Sequence, residues 1–411
     1  MLDTIHHQGL RLALGAFRTS PVDSLYVKAG EPPLHLRRKK LSLQYASRIS
    51  SNSKNPAKKV IFNPKFSDKF QNKPNEIKSI GLRMQNDLDA LELRPLQVLQ
   101  NVDENIPPWT LRFPEVNLSL SRFKKSDTPP EVFKEFSKIR EQHDDFIHIY
   151  TDGSKDDNNV GCAAFEKSFI SRVRLPNKAS IFTAEIKAID LALSYITQHT
   201  HDNFIIFSDS LSVLTTIKNH NSDNVLVQNL LLRLHTILRT KTVKLFWIPS
   251  HIGIKGNEKI DSLAKEALSL PAVNMQLPSS DFRPAINDLI KCKWKSIWSE
   301  CNGNKLHEIN PDLMVSPILK LSSRRDQTVL TRCRIGHTRI SHLYLLKREE
   351  PPFCIPCNEP FTVKHFLIDC HDLSDTRNKY FSVNSLYELF TNIPFALIVR
   401  YLRETGLYQK I

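Results

Sequence analysis

IYTDGSK, residues 149–155, runs two apolar residues into Asp152 and follows that acid with Gly153, Ser154 and the polar run KDDNN. One reading is a strand that ends in a turn. The other is a strand that delivers one carboxylate to a site. The two readings differ in whether further acids converge on Asp152, so the rest of the chain has to decide between them.

The surrounding texture is that of an α/β domain. FIHIYT (146–151), VGCAAFE (160–166) and FISRVRL (169–175) read as three strands with short polar links, an antiparallel meander. IFTAEIKAIDLALSYITQH places Ile181, Ala184, Ala188, Ala192 and Ile196 at helical spacing, with Ile189 and Leu193 widening the stripe. NFIIFSD (203–209) has almost no polar face, as a buried parallel strand would. SLSVLTTIKNH and VLVQNLLLRLHTIL read as helices, VKLFWIPS as a fifth strand, and NEKIDSLAKEALSL as a closing helix with Asn257 at its cap. The order β-β-β-α-β-α-α-β-α predicts a mixed five-stranded sheet with helices on its faces.

Four acids stand out in that frame. Asp152 ends the first strand and Asp209 the fourth. Neither position is needed to hold a sheet together. Glu185 shares its helix face with Ala188, Ile189 and Ala192, and a carboxylate aimed at a core is costly unless it is paired or binds a cation. Asp261 lies in the first turns of the closing helix, in line with Ala264 and Leu268. Four acids in one place need counter-charge. Hard divalent ions such as Mg²⁺ take oxygen ligands, and a pair of them can activate water and stabilise the leaving oxygen of a phosphodiester. His251, in WIPSHIGIKGNEKID, precedes Asp261 by ten residues in a Gly-containing loop and is suited to move a proton near neutral pH.

The blocks IYTDGSK, FTAEIKAI, FSDSLSVL and IPSHIGIKGNEKIDSLAKEAL resemble the signature segments of the type 1 ribonuclease H domain. The likeness covers residues 146–270. It implies metal-binding roles for Asp152, Glu185, Asp209 and Asp261, and a turnover-assisting role for His251. The implied activity is hydrolysis of the RNA strand of an RNA–DNA hybrid, leaving 5′-phosphate and 3′-hydroxyl ends, with two Mg²⁺ ions and Mn²⁺ as a substitute. Two departures matter. The stretch 210–242 is too short and too poor in Trp for the extra basic helix of many cellular members. Thr183 and Ala184 stand where some members carry substrate-contacting Asn. Binding of the hybrid is therefore expected to lean on the flanks.

Charge agrees with that expectation. The 411 residues carry a formal net charge of +14 with a pI of about 9.4, which suggests an anionic partner, nucleic acid first. Residues 1–145 hold 24 Lys and Arg against 17 Asp and Glu, residues 146–270 hold 14 against 12, and residues 271–411 hold 19 against 14. The positive excess sits in the flanks. No run of about 18 apolar residues is present, so no membrane span is expected. Seven cysteines and no secretory signal predict a reduced, intracellular protein, nucleus or cytoplasm unresolved.

Outside the core domain the reading is coarser. Residues 1–50 offer a helix-like start, a Pro-broken loop and RRKK at 37–40, 51–145 read as a linker with short helices, and 271–350 look mainly helical. In 351–411, PPFCIPCNEPFTVKHFLIDC contains C-x₂-C-x₇-H-x₄-C: Cys354, Cys357, His365 and Cys370, four soft ligands suited to one structural Zn²⁺. Such a knuckle either contacts nucleic acid or staples the fold. A helical tail follows. A ribonuclease H domain followed by this cluster resembles the C-terminal part of the reverse-transcriptase protein of jockey- or I-like non-LTR retrotransposons, and residues 1–50 then resemble the region after the polymerase domain. No aromatic-x-Asp-Asp hairpin is present, so a fragment without DNA synthesis is expected. A silent nucleic-acid-binding remnant of a mobile element is the alternative, and a transposase or integrase on the same general fold ranks below both.

Overall fold

The computed structural model describes residues 2–65, 67–71, 76–93, 97–101, 107–123, 129–220, 222–314 and 323–411. Backbone contacts divide the chain into two units, 42–286 and a second made of 1–41 with 287–411.

The first unit is built on a six-stranded sheet: β1 (Glu115–Asn117), β2 (Ile147–Lys155), β3 (Val160–Glu166), β4 (Phe169–Leu175), β5 (Asn203–Ser208) and β6 (Thr242–Trp247). Their spatial order is β1-β6-β5-β2-β3-β4. β2, β3 and β4 form the expected antiparallel meander, while β2–β5, β5–β6 and β6–β1 are parallel. The expected five strands are all present. The sixth corrects the count: β1 adds three residues from the stretch read as linker to the outer edge of β6. A short parallel strand covers an edge that would otherwise offer unpaired backbone groups.

Helices cover both faces. The Ile181–Gln198, Leu211–Asn219 and Val225–Ile237 helices bury their apolar stripes with Ile149, Phe204, Ile206 and Leu245 on one side. The Lys255–Ala267 and Pro129–Glu141 helices pack with Tyr150, Phe207 and Phe246 on the other. The alternation of Ile149 and Tyr150 between these two cores is the strand period made visible. Asn224 and Ser180 cap their helices as acceptors, from Leu226 N and Thr183 N. Among the described residues of 210–242 only two helices occur before β6, so the space of the additional basic helix is not filled.

The second unit is helical. Its core combines Leu25 and Val27 from the N-terminal stretch with Trp298, Leu330, Phe366, Leu389 and Tyr401. The segment read as a Pro-broken loop instead starts a helix: Pro21 precedes Val22–Ala29, which Gly30 closes with a left-handed φ of +69°. The tail is helical as expected, over Leu386–Asn392, Phe395–Glu404 and Leu407–Lys410. No described helix is long and apolar enough to cross a membrane.

Candidate active site and metal centre

β2 does not end at Asp152. It continues to Lys155, with Asp152 opposite Ala163 and Gly153 opposite Cys162 on β3. Gly153 and Ser154 are thus strand residues and not the start of a turn. The reason for glycine is the neighbouring helix: a Cβ at Gly153 would stand 3.0 Å from both the Ala184 Cβ and the Glu185 amide nitrogen. Only a residue without a side chain lets the Ile181–Gln198 helix come this close to β2. That approach carries Glu185 to Asp152. The Gly153 amide there favours the ionised form of both carboxyls, against the burial that raises them.

Asp209 arrives from the end of β5. The Trp247 indole N–H donates to the Asp209 carbonyl at 2.9 Å, and the Ser208 hydroxyl accepts from Ser210 N at 3.1 Å, which together hold the turn. Ligand oxygens of Asp152, Glu185 and Asp209 all lie within 4.8 Å of one another. Asp152 and Glu185 are buried, at 6 % and 7 % exposure, and among the described residues Glu185 Oε2 has no hydrogen-bond partner.

Three acids so placed disfavour their own ionisation. Burial first, then the charges of Asp209 and Asp261, push the Asp152 carboxyl up to about 7. Burial, then Asp152 and Asp209, hold Glu185 well above the usual range. Burial also raises Asp209, against a hydrogen bond from the Asn257 side chain that lowers it. A buried carboxylate oxygen without a donor, within a cluster of raised acids, fits a hard divalent cation.

Asp261 is half-buried on the Lys255–Ala267 helix and lies outside the group of three. Its Oδ2 accepts from Lys265 Nζ at 2.7 Å, and its charge still raises Asp152 and Asp209. His251 is exposed in the loop before that helix, with a left-handed φ of +57°, near enough for its charge to lower Asp209. The sequence therefore pointed to five residues. The structure brings three into one cluster and sets Asp261 and His251 at its margin.

Two residues were not read correctly. Asn257 is not a cap. The helix begins at Lys255 with Ile254 at the capping position, and Asn257 lies one turn inside, 5 % exposed, bonded to Asp209. Its spacing of four residues before Asp261 was the available signal. Asp281 lies beyond the domain as read. It accepts from Ser180 N at 3.0 Å, Ser180 Oγ at 3.0 Å and Thr183 Oγ1 at 2.6 Å, and so clamps the start of the helix that carries Glu185. Thr183 is fully buried in this clamp, so its hydroxyl serves the fold. A cavity of about 840 Å³ beside His148, Tyr150 and Lys255 includes none of the four acids among its lining residues.

In the second unit, Cys354, Cys357, His365 and Cys370 present ligand atoms within 4.8 Å of one another. A two-stranded hairpin, Phe353–Cys354 against Glu359–Pro360, brings the first two thiols together. One π-helical turn, His365–Asp369, carries His365 and is closed by Cys370. The Cys370 sulfur lies 3.9 Å from that of Cys354 and 3.7 Å from that of Cys357. A disulfide needs about 2.05 Å, whereas tetrahedral Zn–S bonds of about 2.3 Å put two sulfurs roughly 3.8 Å apart. His365 is buried. Its Nδ1 meets Glu359 Oε2 at 3.2 Å, and among the described residues its Nε2 has no partner. A carboxylate on Nδ1 fixes the tautomer that leaves Nε2 free to ligate, so the residues fit zinc.

The RNase H family model matches residues 144–269. Among solved structures the chain is similar to one described as the crystal structure of LC11-RNase H1 in complex with an RNA/DNA hybrid. The identity is 17 % and the TM-score 0.25, covering 30 % of this chain and 96 % of that one. No curated protein matches the chain. Residues 144–269 are an RNase H domain.

Proposed function

We propose that the chain is a metal-dependent ribonuclease that hydrolyses the RNA strand of RNA–DNA hybrids. The observation that carries this reading is the convergence of three raised carboxylates within 4.8 Å, inside the stretch that matches the RNase H family. Asp152, Glu185 and Asp209, with Asp261 at the margin, would hold Mg²⁺ or Mn²⁺. The cations supply neutralising charge and an activated water. Water adds to phosphorus, the bond to the 3′ oxygen breaks, and a 5′-phosphate and a 3′-hydroxyl result. The protein's own residues prepare that step. Gly153 N–H favours the ionised form of two carboxyls, Asn257 and Trp247 hold Asp209, and Asp281 fixes the helix of Glu185. His251, on an exposed loop beside Asp209, can carry a proton between solvent and the reacting group.

Zn²⁺ on Cys354, Cys357, His365 and Cys370 is proposed as a structural ion. Val363, Phe366, Leu367 and Ile368 of the same segment are built into the core of the second unit. An RNase H domain followed by such a cluster also supports an origin in a retrotransposon reverse-transcriptase protein.

The test is incubation of the purified chain with a labelled hybrid and Mg²⁺. Wild type should cut the RNA strand and Asp209→Asn should lose at least about 100-fold in rate. Undiminished cleavage by Asp209→Asn would refute the reading.

A further inference from the structure

Two arginines outside the RNase H match share one cavity. It measures about 230 Å³ and is lined by Gln44, Ser47, Arg48, Ser279 and Arg283, all within the unit 42–286. No carboxylate lines it. Both arginines are exposed, and among the described residues neither guanidinium has an ion-pair partner. The buried Ser47 hydroxyl donates to the Ser279 carbonyl at 2.9 Å and so joins the two segments that carry the arginines.

Two unpaired guanidiniums beside the Gln44 amide match the oxygens of a phosphate, which arginine binds in a fork. The cavity holds the volume of seven or eight waters, room for one phosphate group with part of its hydration and not for a base pair. Its position adds a second argument. Ser279 is two residues from Asp281, Asp281 is bonded to Thr183, and Thr183 is two residues from Glu185. That path spans no more than about 20 Å. At ~3.4 Å of axis per phosphate on one strand, this is up to about six nucleotides. The third argument is need. Residues 146–270 hold only 14 basic against 12 acidic residues, so a polyanion finds little net attraction in the domain itself.

We infer that Arg48 and Arg283 form a phosphate-binding site for the backbone of the hybrid, a few nucleotides from the carboxylates. The inference rests on the hybrid-ribonuclease reading for the identity of the nucleic acid.

The experiment is fluorescence anisotropy of a labelled 20-base-pair hybrid with the full chain in EDTA, over a salt series. Cleavage plays no part in the readout, so this inference and the proposed activity can fail separately. Arg48→Gln/Arg283→Gln should weaken binding roughly 10-fold or more. It should also reduce the slope of log K against log salt by about 1, as loss of one phosphate contact requires. Arg48→Lys/Arg283→Lys should keep the slope and lose part of the affinity, which separates the fork from bulk charge and from misfolding. Arg400→Gln, in the other unit, should change neither. Binding that weakens for hybrids shorter than about six base pairs supports a backbone site. Displacement by millimolar inorganic phosphate without any length dependence would overturn it in favour of a free-anion site. Unchanged affinity and slope in the Gln variant, or no hybrid binding by wild type, would also overturn it.

Discussion

Asp152→Asn should stabilise the metal-free protein above neutral pH, and the structure sets the size and sign of the effect. The folded state raises this carboxyl from 3.8 to about 7. Below about pH 4 the side chain is protonated whether folded or unfolded, and it contributes no penalty. Between pH 4 and 7 the unfolded chain releases its proton while the folded one retains it, so stability falls as pH rises. Above 7 both forms are ionised and the loss is complete. Three units at 1.36 kcal/mol each give ~4 kcal/mol. Asn keeps the shape and removes the charge, and it also relieves Glu185, whose carboxyl is raised by the charge of Asp152 after burial. Thermal melts in EDTA at pH 5 and pH 8 test this. At pH 8 the variant should melt about 8–16 °C higher, taking roughly 2–4 °C per kcal/mol for a unit of this size. At pH 5 most of the gain should be gone. Mg²⁺ should raise the melting temperature of wild type far more than that of the variant. Equal melting at pH 8, or the same gain at both pH values, would show that the acids are not in electrostatic conflict and would refute the reasoning.

Other contacts set further outcomes. Gly153→Ala places a methyl 3.0 Å from Ala184 Cβ and should cost about 1–3 kcal/mol while reducing hybrid cleavage more than hybrid binding, measured by melts and single-turnover rates. Asp281→Ala leaves the Ser180 amide and two hydroxyls without their acceptor and should destabilise the unit by ~2–4 kcal/mol, with denaturant titration as the check. Elemental analysis of reduced protein should find one zinc per chain, and His365→Ala should abolish it. Glu359→Gln should lower zinc affinity roughly 10-fold or more in a chelator competition, because Gln holds the imidazole less firmly.

The strands and helices of residues 146–270 were legible because each follows a single period. β5 is apolar from Phe204 to Phe207, and the Ile181–Gln198 helix carries an apolar stripe that only Glu185 and Thr183 interrupt. Glu185 was legible for the same reason: a carboxylate on an apolar face is a local contradiction that only a site resolves. β1 was not legible, since three residues, Glu115–Asn117, show no alternation and gain their identity from pairing with β6. Asn257 was misread because a capping residue and a ligand-orienting residue look alike in sequence. The choice between them depends on where the helix starts. Asp281 and the arginine pair were out of reach. Their partners lie about 100 and more than 200 residues away, and no periodicity records a contact of that kind. The reason for a glycine at 153 was also out of reach. The approach that requires it comes from a helix whose distance from β2 the sequence does not state.

The most direct measurement is the Mg²⁺-dependent cleavage of one labelled RNA oligonucleotide presented three ways to the full chain: alone, paired with RNA, and paired with DNA. Internal cuts are expected in the RNA of the hybrid, each leaving a 5′-phosphate, and none in the other two forms. No cleavage of the hybrid, or equal cleavage of all three, would contradict the proposed activity.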